Sequence, residues 1–126
     1  MKKVIHTTNA PAAIGPYSQA IEANGMLFIS GQIPVNPATG EISEGITAQT
    51  QQVMANIAAI LKEAGYSFDE VVKTTCLLSD IANFSAMNEV YAQSFTTNPP
   101  ARAAFAVRDL PKGVMVEIEV IAVKSK

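Results

Sequence analysis

The stretch NPPARAAFAVRDLPKGVMVEIEVIAV, Asn98–Val123, holds two strand-like runs around RDLPKG, and how those runs pair decides the sheet. Pro99-Pro100 stops any helix arriving from the left, so Ala101–Val107 starts extended, and Val114–Val123 is β-branched and apolar. The spacing predicts a hairpin closed by RDLPKG, with Val107 opposite Val114, Ala104 opposite Glu117 and Arg102 opposite Glu119. Glu117 and Glu119, two apart, then share a face, and a slip of one residue would move both to the other. Arg102 and Glu117 become diagonal neighbours about 7–8 Å apart between backbones, a gap that admits a small anion and a water. A guanidinium is always charged and carries five donors, so Arg102 needs something to hold. The plain alternative is a cross-strand ion pair worth about 0.2–1 kcal/mol, for which Glu119 is the better partner.

Working back towards the start, KKVIHT is a short strand, and SQAIEANGMLFIS is two strands around Asn24-Gly25, a strong hairpin signal. GQIPVNPATGEISEG is punctuated by Gly, Pro and Asn and should be loop with at most a brief strand. From Ile46 to Ala64, Val53, Ile57, Ile60, Leu61 and Ala64 mark one helical face, with Gly65 placed as the stop. Ser67–Glu70 has capping-box spacing, and VVKTTCLLS reads as a buried strand. After Asp80, the recurrence of Phe84, Met87, Val90, Tyr91 and Phe95 predicts a second helix ended by Pro99-Pro100. The order β-β-β-α-β-α-β-β predicts a single α+β domain over 1–126: a mixed sheet with two helices packed on one face. The opposite face then needs cover.

Composition points the same way. The 126 residues suffice for one core at 48% hydrophobic content, yet only 16% are charged, against roughly 25% in typical soluble domains. Part of the exterior is therefore expected to be buried against other copies, as a homo-oligomer. The net charge of −2 and the lack of a basic block argue against nucleic acid. One cysteine, Cys76, excludes an internal disulfide, and with the single histidine, His6, it cannot build a Cys/His metal cluster. MKKVIHTTNAPAA lacks an apolar signal region and no run is long enough to span a membrane, so a cytoplasmic protein is expected. Asn83-Phe84-Ser85 matches a glycosylation pattern and is taken as a chance match at a helix start.

Other positions could carry chemistry. Tyr17 in GPYSQA offers a phenolic hydroxyl at a strand mouth, or else plugs a core edge. Ser30 and Gly31 in ISGQIP end a strand where glycine lets a ligand approach the backbone, or else form an ordinary bulge or turn. Asn88 lies near Phe84 and Tyr91 and could orient a polar ligand, or simply face solvent. Cys76 is a small buried hydrophobe and His6 a strand-edge residue. There is no phosphate-binding glycine loop, and no histidine is placed as base to a serine.

Taken together and in order, GPYSQA, ISGQIP, NEVY, PPAR and VEIEVIAV resemble the Rid family of reactive intermediate deaminases, its RidA branch most closely. The family is also called YjgF or L-PSP endoribonuclease, and the likeness spans essentially the whole chain. It implies a chorismate-mutase-like α+β fold in a homotrimer, with sheets facing the centre and three clefts between subunits. It further implies hydrolysis of 2-imino acids, such as 2-iminobutanoate and 2-iminopropanoate, to 2-keto acids and ammonia, without cofactor or metal. Clearing those imines protects pyridoxal enzymes. By motif, the family's carboxylate-binding arginine falls on Arg102 and its water-positioning acid on Glu117, with Tyr17, Ser30, Gly31 and Asn88 lining the same cleft. Ala104 stands where the family often has cysteine, which excludes thiol chemistry there and leaves a backbone role. Two rivals use the same scaffold: a keto-acid-binding or regulatory protein without turnover, and an endoribonuclease, against which the acidic charge counts.

Overall fold

In the computed structural model, which describes residues 1–125, strand β1 (Lys3–Ile5) pairs antiparallel with β2 (Ala20–Ala23), and β2 with β3 (Met26–Gln32). Asn24 and Gly25 join the last two with φ of 52° and 72°. Positive φ at both central residues matches the right-handed twist of the strands, which is why Asn-Gly suits this turn. A loop with one isolated bridge, Val35 to Ile42, leads into helix α1 (Ile46–Ala64). Gly65 follows with φ 81°. The Gly65 and Tyr66 amides donate back to Lys62 and Leu61 carbonyls at 3.1 and 2.8 Å, a Schellman closure. A single 3₁₀ turn, Phe68–Glu70, uses the expected cap: the Ser67 amide donates to Glu70 Oε1 at 3.0 Å. Then come β4 (Val71–Leu78), α2 (Phe84–Ala92), β5 (Ala101–Ala106) and β6 (Val116–Val123).

The strands form one sheet in the order β1-β2-β3-β6-β4-β5. Both β3 and β4 run antiparallel to β6 and hence parallel to each other, while β5 is parallel to β4. The crossovers β3-α1-β4 and β4-α2-β5 step in the same direction across the sheet. Right-handed crossovers that step the same way leave their helices on the same side. Val53, Ile57 and Leu61 of α1 and Met87 and Tyr91 of α2 accordingly pack with Leu27, Cys76, Leu78, Ile118 and Val120 in one core. The α+β class and the single helical layer agree with the sequence.

Two expectations are overturned. The runs around RDLPKG do not form a hairpin: β4 lies between them, with Thr74 paired to Arg102 on one side and to Val120 on the other. A chain returning from α2 docks beside β4 at the sheet edge. The apolar alternation of β6, buried at Val116, Ile118, Val120 and Ala122, suits the central slot instead. The second helix also ends at Ala92, well before Pro99-Pro100. Ser94, Thr96, Thr97 and Asn98 are weak helix formers, and Asn98 turns the chain with φ 49°.

The fully buried Asn56 of α1 ties down the loop beyond β3. Its Nδ2 donates to the Ile33 and Val35 carbonyls at 3.2 and 3.1 Å, and its Oδ1 accepts from Gln52 at 2.9 Å. Asn56→Leu would strand two carbonyls in the interior, and unmade buried hydrogen bonds cost about 1–3 kcal/mol. A urea midpoint lowered accordingly, with helix content unchanged by circular dichroism, is the expected result.

Candidate active site

Side chains alternate across a sheet, and paired residues on neighbouring strands point the same way. Arg102 is paired with Thr74, a buried residue on the helix side, so Arg102 rises on that side too. Glu117 and Glu119 alternate with the buried Val116, Ile118 and Val120, so they lie on the open face. The expected diagonal contact between Arg102 and Glu117 is therefore absent: within one chain the two occupy opposite faces of the sheet, with β4 between them.

Arg102 opens the edge strand β5 and leans over α2. Its Nη1 donates to Asn88 Oδ1 at 2.6 Å, and its Cζ lies 5.2 Å from the Phe84 ring centre and 4.8 Å from that of Tyr91. These three residues recur at i, i+4 and i+7, one stripe of the helix. Among the described residues no carboxylate comes within 4.0 Å of Arg102, the ion pair present being the exposed Arg108–Asp109. Beside the guanidinium is an open cavity of about 400 Å³ lined by Asn88, Tyr91, Phe95, Pro99, Pro100 and Arg102. The Tyr91 hydroxyl meets Thr74 Oγ1 at 2.7 Å in the interior. Burial keeps it protonated, pushing its pKa up against the smaller opposing effect of that bond. Cys76, two residues along β4 from Thr74, is pushed up to about 11, by burial first and against the smaller opposing pull of the Arg102 charge. Ala104 sits directly across from Cys76, half-buried against the core.

On the open face Glu117 is half-buried. Burial first, and the neighbouring Glu119 second, hold its carboxyl above the ordinary 4.5. Gly31 lies against it: a Cβ added there would collide with the carboxylate, with Glu117 Cδ only 2.9 Å away. The strand does not end at Ser30-Gly31, as expected, but bulges. Ile29 faces Val120 and Gln32 faces Ile118, so three steps on β3 match two on β6. Ser30 Oγ donates to the Ser18 carbonyl at 2.6 Å, fixing the segment that carries Tyr17. Ile14, Tyr17, Ser30, Gly31, Lys112 and Glu117 line a cavity of about 550 Å³.

The structure thus groups Tyr17, Ser30, Gly31 and Glu117 on one face and Asn88 with Arg102 on the other, not all in one cleft of one chain. The sequence reading missed Lys112, which lines the cavity beside Glu117, and Gln19. Gln19 is buried, accepts from the Thr7 amide at 2.7 Å and donates to the Thr7, Ala10 and Pro11 carbonyls. No periodicity marks a glutamine that braces a loop. The stripe of Phe84, Asn88 and Tyr91 did carry a signal, its helical spacing. No group of three or more Cys, His, Asp or Glu gathers for a metal among the described residues, and no helix there is long and apolar enough to cross a membrane.

The family model described as Endoribonuclease L-PSP matches residues 7–124. The chain belongs to that family. Its Rid membership, which the motifs suggested, agrees with the relatives. A RutC family protein of Pyrococcus horikoshii is 58% identical over 98% of this chain and 99% of its own. The human 2-iminobutanoate/2-iminopropanoate deaminase is 48% identical over 98% of this chain and 91% of its own. The solved structure of E. coli TdcF with bound serine superposes with a TM-score of 0.94 at 44% identity, covering 98% of this chain and 99% of that one.

Glu117 yields a prediction from its surroundings. A raised folded pKa means that the stability lent by the protonated form is fully present below 4.5 and is lost as pH rises through the folded value. A carboxyl-detected NMR titration should place the Glu117 midpoint above 4.5. Glu119→Gln should lower that midpoint only in part, since burial is the larger cause.

Proposed function

We propose that this protein hydrolyses 2-imino acids, among them 2-iminobutanoate and 2-iminopropanoate, to 2-keto acids and ammonia, at clefts between three identical subunits. The observation that carries the reading is a pair of half-sites among the described residues: a guanidinium with no carboxylate within 4.0 Å on one face, and a carboxyl with no cation within 4.0 Å on the other. A neighbouring copy that seats its Glu117 face against the edge bearing Arg102 would complete both. Repeated head to tail around a closed ring, such a contact completes every half-site. The open face gives copies a reason to meet, since Val4, Phe28, Phe105 and Val123 stay 59%, 40%, 48% and 39% exposed in one chain.

The chemistry asks little of the protein. Arg102 grips the substrate carboxylate with two parallel hydrogen bonds and so orients the C=N plane. Water then adds to the imine carbon. Glu117, its carboxyl held above the ordinary range by burial, takes a proton from that water and passes it to nitrogen. It then relays the proton of the new hydroxyl the same way, so that nitrogen leaves as ammonia while the C=O forms. Orientation with acid–base help of about 10²–10⁴-fold is enough for a substrate that also hydrolyses unaided. Ser30, Gly31 and Tyr17 shape the wall beside Glu117, and Ala104 contributes backbone alone. No cofactor enters these steps. The human deaminase relative supports the activity. A cytoplasmic setting fits it, because pyridoxal-dependent dehydratases release the parent enamines there.

A second reading, ligand binding without turnover, draws support from the serine bound in the E. coli structure. One set of measurements separates the two. Imine generated by a threonine dehydratase and trapped with semicarbazide should fall when wild-type protein is added, and Arg102→Ala should abolish that effect. Glu117→Gln should lose roughly 10²-fold or more in turnover while 2-ketobutyrate binding by calorimetry is kept. Binding with no loss of trapped imine would favour the second reading. Sedimentation of wild type should give a species of three 13.3 kDa chains, and Phe105→Glu, which puts charge on the open face, should shift it towards monomer.

A further inference from the structure

Arg102 is well held and yet left charged, and the residue responsible for that combination is Asn88. A guanidinium at an exposed strand edge has long rotatable bonds and would sample many positions. Here the two rings of α2 cover it, and Asn88, between them on the same stripe, takes one of its five donors at 2.6 Å. An aspartate or glutamate at this place would reach the same nitrogen and bind it more strongly. It would also cancel the charge that an anionic ligand needs. An amide oxygen fixes the geometry and leaves the charge intact. The side chain next along the helix, Glu89, is exposed and makes no ion pair with Arg102.

We infer that Asn88 is a positioning residue whose neutral amide holds the Arg102 guanidinium in place without competing with the substrate carboxylate. The inference rests on the reading of Arg102 as the carboxylate anchor and adds to it a constraint on charge: position 88 must accept a hydrogen bond and must not be an acid.

A structural role and this role predict opposite outcomes for one substitution. Asn88→Asp strengthens the bond to Arg102, so the thermal midpoint should hold or rise. Binding of 2-ketobutyrate by calorimetry should nevertheless weaken by roughly tenfold or more, and beyond the loss seen in Asn88→Ala. The uncharged amide of the same ligand should show no such extra loss in Asn88→Asp. In turnover assays KM should rise more than kcat falls. If Arg102→Ala abolishes 2-ketobutyrate binding but Asn88→Asp leaves it within about twofold of wild type, this inference is overturned and the anchor reading stands. If Arg102→Ala itself leaves binding unchanged, the anchor reading falls and this inference with it.

Discussion

Two crossovers that step the same way across one sheet set everything else in this molecule. They stack α1 and α2 on a single side and leave the other side of six strands without a layer of its own. Each strand must then satisfy two environments at alternate positions. β6 does so in the sharpest form, with Val116, Ile118, Val120 and Ala122 in the core and Glu117 and Glu119 turned outward. β5, rich in alanine and half exposed, accepts the edge. The separation of Arg102 from Glu117 is a direct product of this alternation, because no register of two strands within a sheet brings residues of opposite facing together.

Charge is handled in the same economical way on both faces. Arg102 is gripped by neutral groups, two rings and an amide. Glu117 has burial and a like charge for neighbours and, among the described residues, no cation within 4.0 Å. Glu117 is thus held at a cost in its own chain that an opposite charge would relieve, whereas Arg102 stays open to solvent.

The helices, the Asn24-Gly25 turn and the Gly65 stop were legible in the sequence because each depends on contacts within a few residues. The hairpin of the last two strands was misread for the converse reason. Nothing in RDLPKG says that β4, more than twenty residues earlier in the chain, will slide between its flanks, since strand order is decided by the layers as a whole. Helix α2 was read too long because Phe95 continues the apolar period from a turn beyond the helix, where it is still buried. For the site, the motifs picked out Tyr17, Ser30, Gly31, Asn88, Arg102 and Glu117. Their division between two faces depended on the register that was misread. The bond from Asn88 to Arg102 spans the crossover loop, and no local spacing could have announced it.

Cys76 lies in the core with its thiol fully enclosed and held protonated, and Ala104 occupies the strand position facing it. With Cys76 the chain's one cysteine, neither the arginine face nor the glutamate face offers peroxide or an alkylating agent a thiolate to modify.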